Sequence, residues 1–198
     1  GTPEGRAICI ADNQRMGRQI DENRLYHVEE QGYYKGATVA FLLARTQEGL
    51  AILQADNYRL VRLINENSLN HVVEQGPNKG WSMAVRLAGS PEGQAILQVD
   101  NYRLARLIDE NSLNHLIEQG PYEGWSVIFW LVCTREGRAI LEDDNYRLAR
   151  LVNARALYRA IEHGPNKCQS AASVLAREPE GQVLSQVMEV EYLGPLSN

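Results

Sequence analysis

Residues 100–120 read DNYRLARLIDENSLNHLIEQG, and residues 56–76 read DNYRLVRLINENSLNHVVEQG. Two copies this similar, 44 residues apart, send the reading outward to the rest of the chain. The glycine of an EG pair falls at Gly5, Gly49, Gly93, Gly137 and Gly181, always 44 residues apart. Asp12, Asp56, Asp100 and Asp144 keep the same beat, as do Arg15, Arg59, Arg103 and Arg147, and Gly32, Gly76, Gly120 and Gly164. No insertion or deletion interrupts it. The chain of 198 residues therefore divides into repeats 2–45, 46–89, 90–133 and 134–177, with a partial or capping repeat over 178–198. A fixed period of roughly 40–47 residues marks units that bury their apolar faces on one another. The expectation is an all-α, right-handed solenoid of short helices, a single domain over 1–198.

The grammar inside a repeat is helical. SPEG at Ser90 and TPEG at Thr2 place a hydroxyl before Pro and Glu, which is how a helix starts. This predicts a first helix over 91–98. Asp100 then reads as the cap of a second helix over 101–109, with one long helix through both as the alternative. Asn111 reads as the cap of a third over 112–119, and Gly120 as the glycine that stops it. A fourth, the most apolar, is expected over 123–132. No stretch alternates as a strand does. The last repeat decays, with MEVEY standing where the others have DNYRL.

Composition narrows the function. The net charge of −5 argues against a general nucleic-acid backbone binder, which needs clustered excess cations. Of 20 basic residues, 17 are Arg, the side chain with a planar, two-pronged donor set. No run approaches the length of a membrane span, and GTPEGRAICI does not read as a signal peptide. A cytoplasmic protein, or one delivered into a host cytoplasm, is expected. Cys9, Cys133 and Cys168 lack metal spacing and read as reduced thiols. No phosphate-loop, dinucleotide, nucleophile-elbow, zinc or calcium pattern is present. Triads drawn from repeated residues would recur several times over, whereas active sites are single constellations. The reading is therefore no enzyme, no catalytic residues, no cofactor and no metal.

What remains are the side chains that point off the core. On a helical wheel Leu60, Val61, Leu63 and Ile64 form the apolar side, and Tyr58, Arg59 and Arg62 gather opposite. The set recurs as Tyr102, Arg103 and Arg106, and as Tyr146, Arg147 and Arg150. Two readings stand: cement between repeats, or a binding ridge, since Tyr and Arg are enriched at interface hot spots. His71 and Glu74 recur as His115 and Glu118, but become Arg159 and Glu162, so the His reads as one half of a charge pair. Trp81 and Trp125 are expected in the core. Trp130 stands where other repeats have Leu42, Arg86 and Val174, and reads as an edge anchor. The loop after each glycine differs between repeats, as Tyr33-Tyr34-Lys35, Pro77-Asn78-Lys79, Pro121-Tyr122-Glu123 and Pro165-Asn166-Lys167. Differences on one side of every repeat are where such arrays place specificity, which makes Tyr122 a candidate.

By period and helix grammar, the whole chain resembles the armadillo/HEAT class of α-solenoids. Armadillo-type solenoids hold extended peptides with ladders of Asn and Trp. The resemblance implies such roles for Asn57, Asn101 and Asn145, for Asn70 and Asn114, and for Trp81 and Trp125. The chain departs from that pattern in using four short helical segments per repeat. Indel-free repeats also resemble arrays in secreted bacterial effectors. The expected function is a monomeric protein-interaction scaffold. Its partner is an extended or acidic protein or peptide, met along the Tyr/Arg ridge and the variable loops. The alternatives are a nucleic-acid binder reading one unit per repeat, and a purely structural, self-assembling array.

Overall fold

A computed structural model describes residues 15, 17–162, 166–177 and 179–193. Readings that fall on residues 1–14, on Gly164 and Pro165, or on residues 194–198 lie outside them. The described elements are α1 (Glu22–Tyr26), α2 (Val39–Ala44), α3 (Gln47–Leu63), α4 (Glu66–Asn70), α5 (Met83–Ala88), α6 (Pro91–Arg106), α7 (Glu110–Asn114), α8 (Val127–Val132), α9 (Arg135–Arg150), α10 (Ala154–Tyr158), α11 (Ala171–Leu175) and α12 (Pro179–Leu193). All are helices, and no strand is present among the described residues; Val28 and Thr38 form an isolated antiparallel bridge.

The helix starts follow from the caps. Thr38, Ser82, Ser126 and Ser170 accept from backbone N–H groups three residues on and open α2, α5, α8 and α11. Thr46, Ser90 and Thr134 do the same for α3, α6 and α9. Asp21, Asn65, Asp109 and Asn153 open the short helices α1, α4, α7 and α10. Each oxygen satisfies one of the orphan donors of a first turn.

Within α3, α6 and α9 the backbone breaks in a way the sequence did not announce. Val99 is extended, and Asp100, Asn101 and Tyr102 are left-handed at φ 51, 56 and 61°, after which a right-handed helix resumes. Asp56–Tyr58 and Asp144–Tyr146 repeat this within a few degrees. Asp100 is thus the first residue of a left-handed turn and not the cap of a second helix. Asp and Asn tolerate this region better than other side chains.

The third helix of the repeat is also shorter than expected. It ends at Asn114 rather than running to Gln119, and Asp109, not Asn111, caps it. The chain then extends and folds back on itself. Ile117 N donates to Trp125 O at 2.8 Å, and Gly124 N to Ile117 O at 2.9 Å. Val73 with Trp81 and Gly80, and Ile161 with Gln169 and Cys168, close the same loop. Gly120, at φ 93°, turns this loop and does not stop a helix.

The apolar helices α2, α5, α8 and α11 pack each on the next, and so do the long segments α3, α6, α9 and α12. The buried residues form one continuous cluster from Leu25 to Met188, with Phe41, Leu53, Leu97, Phe129 and Leu141 among its members.

Candidate partner-binding surface

The repeated Tyr/Arg residues are bonded within the chain. Arg103 donates to Val61 O at 3.1 Å and Ile64 O at 2.9 Å, closing over the end of α3. Arg147 donates to Ala105 O at 3.1 Å and Ile108 O at 3.2 Å. Arg59 meets Gly17 O, and Ile20 O at 2.9 Å. The orphan carbonyls at the end of one helix are satisfied by a guanidinium 39 to 42 residues further on. Tyr58, Tyr102 and Tyr146 lie half-buried against the core.

Arg62 and its counterparts reach forward instead. Arg18 pairs with Asp56 at 2.9 Å, Arg62 with Asp100 at 2.7 Å, and Arg106 with Asp143 at 3.1 Å. The shift to Asp143 reflects the doubled acid there: Asp144 faces Arg147 at 3.8 Å instead. The Arg hydrogen bonds hold the carboxyls of Asp56 and Asp100 below the usual carboxylate range. Arg150 meets no carboxylate among the described residues, because Met188 occupies the position of Asp56 and Asp100.

The Asn ladder is bonded within the chain too. Asn70 donates to Leu107 O and Asn114 to Leu151 O, both at 2.7 Å, and Tyr26 reaches Leu63 O in the same way. His71 Nε2 lies 2.8 Å from Gly36 O rather than against Glu74. Burial lowers the pKa of His115, whose Nε2 is enclosed without a partner.

A different surface gathers the positions that do not repeat. Residues 34/78/122/166, 42/86/130/174 and 45/89/133/177 change identity from repeat to repeat. The structure brings several of them to one open cleft of about 170 Å³, walled by Arg45, Trp81, Arg86, Tyr122 and Trp130. Thr46 and Ser90, the caps of α3 and α6, line it as well. Trp81 and Trp125 are buried at 6% and 2% exposure, but on the closing arm of the hairpin loop rather than inside a helix.

Their rings form a continuous aromatic wall. Tyr122 lies 5.8 Å from Trp81, 5.2 Å from Trp125 and 5.4 Å from Trp130, and Trp125 lies 4.2 Å from Trp130. Trp130 fits against the chain at Gly89, where a Cβ would come within 3.4 Å of its ring. Arg86 stacks on Trp81 with Cζ 3.5 Å from the ring centroid, and its Nη2 lies 3.4 Å from Asn78 Oδ1. Burial, and then the neighbouring Arg45 charge, push the Arg86 pKa down to about 10. Arg45 donates to Tyr34 OH at 2.8 Å.

Of these residues the sequence singled out Tyr122 and Trp130. It missed Arg86, Arg45 and Tyr34 as parts of one site. The available signal was their failure to repeat; their meeting across adjacent repeats was not visible.

No group of three or more His, Cys, Asp or Glu side chains that could hold a metal occurs among the described residues. No helix among them is long and apolar enough to cross a membrane. Comparison with known proteins found no matching family model, no similar curated protein and no similar solved structure.

Proposed function

We propose that this chain is a non-enzymatic helical-repeat solenoid that binds another protein or peptide through the face built from its non-repeating positions. One contrast carries the reading: Arg59, Arg103 and Arg147 are bonded to neighbouring repeats, whereas Arg45, Arg86, Tyr122 and Trp130 converge on an open cleft. Aromatic and Arg side chains around a recess are the composition of an interface hot spot. The Tyr/Arg ladder then acts as the joint between units, and the variable face as the reader. A nucleic-acid reading through the ladder is weakened, since Arg18, Arg62 and Arg106 already face carboxylates.

A displayed library of random dodecapeptides tests this. Selected peptides should slow amide hydrogen exchange around residues 81–90 and 122–130. They should bind Arg62→Gln as they bind the parent, and lose affinity for Trp130→Leu, a substitution that copies Leu42 of the first repeat. Peptides that protect residues 56–64 instead would make the ladder the binding surface. A preference for oligonucleotides, with affinity falling steeply in salt, would replace the reading by the nucleic-acid one.

A further inference from the structure

We infer that the cleft between Arg45 and Arg86 holds the side-chain carboxylate of an acidic residue in an extended partner segment. The inference rests on the scaffold reading of the same face and adds the chemistry of what is bound.

The first observation is an uncompensated charge. Arg45 and Arg86 both line the cleft, and no Asp or Glu does. Elsewhere the chain supplies carboxylates freely, as for Arg18, Arg62, Arg106, Arg138, Arg147 and Arg159. A half-buried guanidinium without a counter-ion is costly, and the cheapest remedy is an anion brought by a ligand.

The second is a shortage of acceptors in that wall and beside it. Arg86 Nε, Asn78 Nδ2 and Trp130 Nε1 are enclosed with no hydrogen-bond partner. Buried donors are normally satisfied, so a cluster of unpaired ones marks a place poor in oxygen. All three carry positive partial charge: Arg86 and Trp130 line the cleft, and Asn78 bonds to Arg86.

The third is orientation. Arg86 is fixed between the Trp81 ring and Asn78, so its fork is held in place before anything binds. The first turns of α3 and α6 begin at the cleft, through Thr46, Gln47 and Ser90, and helix starts favour negative charge. Chain-end carboxylates are captured by sets of free backbone N–H groups. Here Gly49 N and Gly93 N are taken by Thr46 Oγ1 and Ser90 Oγ, and Pro91 has no N–H. The charged donors at the cleft are the guanidiniums of Arg45 and Arg86, which suit a carboxylate carried on a side chain. Leu50, Val85 and Trp130 give the flanking residues an apolar wall.

The test titrates the full chain, ¹⁵N-labelled, with acetyl-Gly-Leu-Glu-Leu-Gly-amide. The Gln and Lys versions are run beside it, with the Gln version also made with a free C-terminal carboxylate. Indole N–H and Arg86 Nε–H resonances report occupancy of the cleft. The Glu peptide should bind about tenfold more tightly than the Gln peptide at low salt, and the difference should shrink in about 0.5 M salt. Arg86→Leu, which copies Leu42 of the first repeat, should lower the Glu affinity to the Gln level. Arg62→Gln should leave it unchanged.

Equal binding of Glu and Gln peptides at these resonances removes the carboxylate and leaves the scaffold reading standing. Tighter binding of the free-terminus Gln peptide overturns the side-chain source. No shift from any peptide at about 10 mM, well into the weak-binding range, overturns the inference. Shifts confined to residues 56–64 overturn it together with the choice of face.

Discussion

A methyl group at Gly93 would lie 2.3 Å from the carbonyl oxygen of Leu87. At Gly49, Gly137 and Gly181 the same clash, at 2.1 to 2.3 Å, involves Leu43, Leu131 and Leu175. The beat of EG glycines is therefore a rule of close approach: each long segment begins hard against the end of the helix before it. Gly93→Ala should destabilise the protein by roughly 3 kcal/mol, since backbone must move to admit the methyl. Urea unfolding followed by circular dichroism measures this, and an unchanged midpoint would show that the crossing yields easily. Gly36, Gly80 and Gly124 serve a different need, sitting at φ 83 to 84° in the loop. Cys168 occupies that place in the fourth repeat at φ 65°, with a side chain the left-handed region disfavours. Cys168→Gly should raise stability by about 0.5–1 kcal/mol, visible as a higher midpoint in the same experiment.

Between elements, the joint is a guanidinium closing over a helix end. Arg103 satisfies two carbonyls of the preceding unit, at Val61 and Ile64, while Asn70 reaches forward to Leu107 O. Arg103→Ala should cost roughly 2–4 kcal/mol, the range for two hydrogen bonds to a charged donor together with carbonyls left unpaired. Arg62→Gln, which loses an exposed ion pair and one hydrogen bond to Asn57 O in its own repeat, should cost clearly less. Comparing the two unfolding midpoints separates carbonyl capping from surface pairing, and equal losses would contradict it. Much of this was legible beforehand. The period, the Ser and Thr caps and the buried Leu and Ile positions follow from local chemistry that each repeat states for itself. The left-handed turn at Asp100–Tyr102 was not, because Asp before a helical run is also how a cap is written. The hairpin closing at Trp125 escaped because two backbone bonds join its arms, too few for an alternating pattern. The cleft escaped for a different reason. Arg45 and Arg86 are 41 residues apart, and Trp130 is 44 beyond Arg86, so no single repeat contains the site.

Across the molecule, two kinds of arginine act on stability in opposite senses. At the joints, Asp56 and Asp100 have folded pKa values below their unfolded values, chiefly through hydrogen bonds from Arg18 and Arg62. Their contribution is present above the unfolded pKa, near 3.8, and is lost as pH falls through the folded values. Because stacked units depend on their neighbours, acid should loosen successive joints over one window. Arg86 works the other way. Its folded pKa is lowered to about 10 by burial and then by Arg45, well below the unfolded value. The unfolded chain binds more proton between those values, so stability rises with pH there, and at neutral pH the buried charge is a net cost. Arg86→Leu removes that cost along with the stacking on Trp81, and should raise stability at pH 7 by about 1 kcal/mol. The same substitution should abolish the preference for a carboxylate peptide. A protein that becomes more stable and less selective at one position has that residue for a partner rather than for its fold. If Arg86→Leu instead lowers the urea midpoint, the guanidinium belongs to the joints, and the cleft loses its strongest claim to a ligand.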